Sequence, residues 1–255
     1  MQDIDYQALA SKFLIDGIAS IVLMGSHARG DFGLYSDIDI VRFWQEMPEE
    51  HELVTYLIDS HFVVVSNVST NQVEDWFLSP EMATEFIKGV MQSKVLWDRD
   101  GYFAAIKKRA DCFVWDDGMQ ARADALVSSM MVGWIEEVQK ALQGLRGNDP
   151  GRLLNGKHGL TWGLLKVMRI HKGLLLTGDN GAYPEMLACM GEDSEWSSLC
   201  RNAFGVEGET SLYAEIEAGL KLYALTAELL SGRLNTKDKE LIDEAVTRIN
   251  NRQRE

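Results

Sequence analysis

A chain of 255 residues, 46% of them hydrophobic, can bury a sizeable core and suggests one large domain or two small ones. Its net charge of −14 argues against stable binding to a phosphate backbone, so no nucleic-acid partner is expected, and it favours a cationic small molecule in a cleft. No apolar stretch reaches the ~20 residues of a membrane span, and the start Met1-Gln2-Asp3-Ile4-Asp5 lacks the basic region of a signal peptide. Cys112, Cys189 and Cys200 form no CxxC pair, so neither a disulfide framework nor a zinc site is expected. These features predict a reduced, cytoplasmic protein with no membrane attachment.

In chain order, the apolar periodicity of Tyr6, Leu9, Ala10, Phe13 and Leu14 predicts a helix over 5–16 that ends at Gly17. Ile18 to Met24 reads as a short buried strand closed by Gly25-Ser26. A second strand starts near Ser36 and continues through 38–44. Pro48-Glu49-Glu50 predicts a helix reaching about Asp59. A third strand covers 61–68, helical patterns follow near 71–78 and 81–92, and Val95-Leu96-Trp97 predicts a last short strand. Beyond about residue 116 the strand patterns cease. Helices are predicted over 118–146, 151–176, 184–191, 211–232 and 236–250. The chain therefore divides into a mixed α/β part, 1–115, and a helical part, 116–255.

The stretch Leu23-Met24-Gly25-Ser26-His27-Ala28-Arg29-Gly30-Asp31, ending Ser36-Asp37-Ile38-Asp39-Ile40, concentrates the chemistry. Glycine lacks a Cβ, so at Gly25 a phosphate can approach the backbone closely. Ser26 adds a hydroxyl donor, and a helix starting there would offer free N–H groups. Asp37 and Asp39 stand two apart on the predicted second strand, so both carboxylates face one side while Ile38 and Ile40 face the core. Two carboxylates on one face repel unless a cation lies between them, and magnesium combines such ligands with substrate phosphates.

These residues resemble the signature of the DNA polymerase β-like nucleotidyltransferase superfamily: G-S, about ten residues, then D-x-D. The longer form, GSxARGDxxxxSDIDI, resembles the antibiotic nucleotidyltransferase branch, of kanamycin (aminoglycoside) or lincosamide type. The resemblance implies an α+β fold in which a small nucleotidyltransferase domain with a mixed sheet precedes a C-terminal helical bundle. It implies an Mg2+-dependent adenylyltransferase that moves AMP from ATP to a hydroxyl of a small acceptor. Gly25 and Ser26 would hold the triphosphate, and Asp37 and Asp39 the magnesium. Ser36 and Arg29 are candidates for further phosphate contacts, with bracing of the loop as Arg29's alternative. The acidic charge favours an aminoglycoside over a lincosamide. Modification of a partner protein and nucleotide binding without catalysis are the other readings. The resemblance also allows a homodimer with shared active sites.

One departure stands out. The superfamily usually carries a third carboxylate on the next central strand, and the corresponding position falls near Val64, with Glu74 as a conceivable substitute. In the helical part the resemblance implies a base that takes the acceptor's hydroxyl proton and a lysine that contacts phosphate. Glu136 and Lys140 have the matching i, i+4 spacing, Glu137 competes with Glu136, and an ordinary surface ion pair is the plain alternative.

Overall fold

The computed structural model describes residues 4–46 and 53–252. Asp5 caps the first helix, α1 (Tyr6–Ser11), its carboxylate accepting the Gln7 and Ala8 N–H groups at 3.0 and 2.9 Å. The helix stops at Ser11, short of the predicted 16, yet Leu9, Ala10 and Phe13 still enter the core. Strand β1 (Ile18–Met24) is buried along almost its whole length, as an apolar run flanked by partners on both edges should be. A single turn, α2 (Gly25–Arg29), leads through a loop to β2 (Ile38–Trp44).

Here the structure corrects one prediction. Residues 54–58, expected to be helical, form a strand, β3 (Val54–Ile58), paired antiparallel with β4 (His61–Ser69). The start of that predicted helix, 48–50, lies outside the described residues. Val54, Thr55, Tyr56 and Ile58 are β-branched or aromatic and favour a pleated surface. Asp59 and Ser60, with φ of 49° and 67°, close the two-residue turn between the strands. Capped by Ser69 and Ser79, α3 (Thr70–Leu78) and α4 (Pro80–Gln92) follow, then β5 (Lys94–Asp98) and α5 (Tyr102–Asp111), which the periodicity had not revealed. The sheet order is β3-β4-β2-β1-β5, with β2 and β4 parallel and the other pairs antiparallel. The mixed sheet with a helical C-terminal part matches the fold class expected.

The remaining helices are α6 (Asp117–Gly133), α7 (Ile135–Gly147), α8 (Pro150–His158), α9 (Leu164–His171), α10 (Ala182–Met190), α11 (Glu195–Phe204), α12 (Leu212–Leu229) and α13 (Thr236–Arg252). The predicted helix over 118–146 breaks at Trp134, and that over 151–176 contains a π-helical turn, Gly159–Gly163, and ends at His171. Helix α11 was not anticipated.

The chain forms two compact units: Met1–Trp115 with Leu175–Asp179, and Asp116–Leu174 with Asn180–Glu255. Residues 175–179, read from the sequence as part of the helical portion, thus belong to the first unit, where they meet α4. Leu176 is 2% exposed, and its N–H donates to the Thr84 carbonyl at 2.9 Å. Among the described residues, no helix is long and apolar enough to cross a membrane.

Left-handed conformation costs a residue with a Cβ about 1–2 kcal/mol. Ser60→Gly should therefore stabilise the protein by about 0.5–1 kcal/mol, after the entropy glycine adds to the unfolded chain. Urea unfolding would show this as a higher midpoint with unchanged slope.

Candidate active site

Strand β1 delivers the chain to Gly25, and pairing of Met24 with Asp39 in the antiparallel β1–β2 ladder brings Asp39 alongside. Gly25 has φ +64°, and a Cβ added to it would overlap Asp39 Oδ2. Glycine is thus required twice, by backbone conformation and by the carboxylate beside it. Helix α2 is one turn of five residues, ended by left-handed Gly30, whose N–H donates to the Ser26 carbonyl at 2.8 Å. Its dipole is correspondingly small, so any phosphate grip there rests on individual N–H and hydroxyl donors.

Asp39 is half-buried, while Asp37 is exposed and lies one residue before β2 rather than within it. The two carboxylates still interact. Burial, then the Asp37 charge, push the Asp39 carboxyl up to about 6; Arg29 opposes this and Asp179 adds to it. Asp179 comes from the 175–179 segment and has no counterpart in the sequence motif.

Arg29 is 22% exposed in its side chain. Its Nε donates to Asp31 Oδ2 at 3.0 Å and its Nη1 to the Thr177 carbonyl at 2.9 Å. The guanidinium therefore ties the loop after α2 to the 175–179 segment. Ser36 is also engaged locally: its hydroxyl accepts the Gly33 N–H at 2.9 Å and closes the turn ahead of Asp37. Ser26 is half-exposed at the start of α2.

The parallel β2–β4 register pairs Asp39 with Val64, so the position expected to hold a third carboxylate is beside Asp39 and apolar. Glu74 is committed elsewhere, to Arg109 at 2.6 Å. Among the described residues no group of three or more His, Cys, Asp or Glu side chains could hold a metal ion. The Asp37 and Asp39 carboxylates are the oxygen donors here that could join phosphate oxygens of a ligand around a hard divalent cation, with Gly25 leaving no Cβ beside Asp39.

In the second unit, Lys140 Nζ lies 2.8 Å from both Glu136 Oε1 and Glu137 Oε1. The two glutamates differ sharply in environment: the Glu136 side chain is 73% exposed and Glu137 only 16%. The lysine holds Glu136's carboxyl below the usual range, and the two carboxylates hold the ammonium's proton more tightly. Glu137 Oε2 is buried without a hydrogen-bond partner. Its burial follows from the π-helical turn. A Cβ on Gly159 would meet Glu137 Cγ at 2.5 Å and Trp134 Cε3 at 2.8 Å, and one on Gly163 would meet Trp134 Cε2 at 2.5 Å. Two glycines four apart let the Trp134 ring and the Glu137 stem pack directly on helix backbone. This spacing was readable as a signal in the sequence, but its partner Trp134 was not.

Residues 7–95 match the family model for a nucleotidyltransferase domain. The matched segment contains Gly25, Ser26, Asp37 and Asp39, and the match supports nucleotidyl transfer in general. No curated protein matches the chain. Among solved structures it is similar to a nucleotidyltransferase-like protein from Exiguobacterium sibiricum, at 14% identity and a TM-score of 0.51, over 90% of this chain and 73% of that one. At that identity the likeness concerns the fold.

The raised Asp39 carboxyl has a defined pH consequence. Between about 4, its unfolded value, and about 6 the folded protein binds more protons than the unfolded chain. Without divalent metal, stability should fall as pH rises through that window, and Asp39→Asn should flatten the fall. Thermal unfolding at pH 4.5 and 7.5, with and without Mg2+, would show it, metal restoring stability only at the higher pH.

Proposed function

We propose that this protein is a nucleotidyltransferase that moves a nucleoside monophosphate, AMP from ATP, onto a hydroxyl of a small cationic acceptor such as an aminoglycoside. The observation that carries the reading is the Asp37–Asp39 pair against Gly25, inside the segment matching a nucleotidyltransferase domain. The net charge of −14 supports the cationic acceptor.

In this reading the acceptor oxygen attacks the α-phosphorus of the nucleotide. The bond from that phosphorus to the oxygen bridging to the β-phosphate breaks, and pyrophosphate leaves. Gly25 and Ser26 receive the triphosphate with backbone N–H groups and a hydroxyl. Asp37 and Asp39 would hold magnesium, which when bound neutralises phosphate charge. The hydroxyl proton passes to a carboxylate. Between the two candidates the burial of Glu137, with one oxygen unpaired, favours it over solvent-exposed Glu136. Lys140 then orients Glu137 more directly than it contacts phosphate. Arg29 and Ser36 act as braces of the loop that presents Asp37.

Pyrophosphate release should appear when ATP, Mg2+ and an aminoglycoside are combined. Asp37→Asn and Asp39→Asn should each remove most of it without unfolding the protein; full activity in either would refute the metal assignment. Glu137→Gln is expected to lower kcat by about 10²–10⁴-fold and Glu136→Gln by far less. Val64 beside Asp39 favours one second reading, nucleotide binding without turnover. Binding of ATP and Mg2+ with no pyrophosphate from any acceptor would select it.

A further inference from the structure

Helix α2 holds a buried histidine, within electrostatic reach of Asp37, to which the proposed reaction assigns no role. His27 occupies the variable place in the Gly25–Asp31 run and is 3% exposed. Its Nδ1 is 2.9 Å from the Tyr6 hydroxyl. One face of its ring stacks on Phe32, with centroids 4.2 Å apart and planes within 8°, while the Tyr6 ring meets it edge-on. Three segments thus converge on one imidazole: α1 through Tyr6, α2 through His27 itself, and the following loop through Phe32.

The ring's protonation follows from its surroundings. Burial holds its pKa below the ordinary histidine range, so it is neutral near pH 7. The Tyr6 O–H has a proton to donate, which makes Nδ1 the acceptor and leaves the ring's own proton on Nε2. Nε2 is buried with no hydrogen-bond partner, and the polar group that acts on the ring from the loop is the Ser36 backbone, one residue before Asp37. A buried N–H is costly to leave without an acceptor, and the Ser36 backbone is the group of this loop that can take that role.

We infer that His27 is a positioning residue: hydrogen-bonded to Tyr6, stacked on Phe32 and facing the Ser36 backbone, it holds the loop that presents Asp37 beside Asp39 before any ligand arrives. This rests on the metal-binding role proposed for the two aspartates. Asp37 is exposed and precedes its strand, so the ladder alone does not hold it. A ligand carboxylate set in place beforehand spares the cost of ordering it on binding.

The test is Mn2+ binding to the full chain, read by the loss of the free-ion electron paramagnetic resonance signal. His27→Phe keeps an aromatic ring against Phe32 and removes both nitrogens. It should weaken Mn2+ binding about ten-fold, with circular dichroism and cooperative thermal unfolding retained. Unchanged Mn2+ affinity in a folded His27→Phe protein would overturn the inference and leave His27 as core filling. If that variant fails to fold, Tyr6→Phe, which removes only the hydroxyl on Nδ1, takes its place. Binding about three-fold weaker supports the inference, and wild-type binding overturns it. Asp39→Asn separates the two levels of the argument. If it too binds Mn2+ like the wild type, the metal reading of the aspartates falls and this inference with it. If only Asp39→Asn loses binding, the metal reading stands and the role of His27 falls alone.

Discussion

The carboxylate of Asp39 sits against a stretch of backbone that carries no Cβ, and the rest of the candidate site is arranged around that contact. It arises from strand register: Met24 pairs with Asp39, and the next residue, Gly25, turns with a left-handed φ that leaves the carboxylate room. Asp39 is itself half-buried on β2, and that loss of water raises its carboxyl's proton affinity. Asp37 and Asp179 add negative charge, while Arg29, whose positive charge opposes them, is shared with Asp31 and the Thr177 carbonyl. A site with this imbalance is relieved by a cation, which is why metal binding is the part of the proposed function nearest to the physical observations.

The same sheet explains what is missing. The parallel pairing of β2 with β4 sets Val64 directly beside Asp39, and β3, folded back through the Asp59-Ser60 turn, pairs with β4 on its other side. An acid at Val64 would face Asp39 at the spacing of adjacent strands and raise its proton affinity further. Instead the additional negative charge comes from Asp179, on a segment that returns to the first unit from far along the chain.

In the second unit the decisive feature is a helix irregularity. The π-helical turn brings Gly159 and Gly163 against Trp134, the residue at which α6 gives way to α7. Glu137, one turn on, is covered by that packing, whereas Glu136 points to water. Two adjacent glutamates, alike in sequence and sharing one lysine, end in different environments because consecutive helical residues face about 100° apart and only one of those directions is occupied.

The strands β1, β2, β4 and β5, most of the helices, the Gly25-Ser26 turn, the two aspartates and the apolar residue at the third position were all legible in local pattern, because strand and helix periodicities and a contiguous motif are properties of neighbouring residues. The helix expected before Asp59 was wrong because Val54–Ile58 is stabilised by pairing with β4, an interaction that no local window contains. The engagement of Arg29 by the Thr177 carbonyl, the charge of Asp179 on Asp39, and the contact of Tyr6 with His27 join residues from 21 to about 150 positions apart. The sequence by itself marked out Gly25, Ser26, Asp37 and Asp39 as the candidates for the chemistry, since they lie within one contiguous motif. Only the tertiary structure decided which of Glu136 and Glu137 is buried, how Arg29 and Ser36 are engaged, and what holds the loop of Asp37, because burial and hydrogen-bond partnership depend on what the folded chain brings alongside.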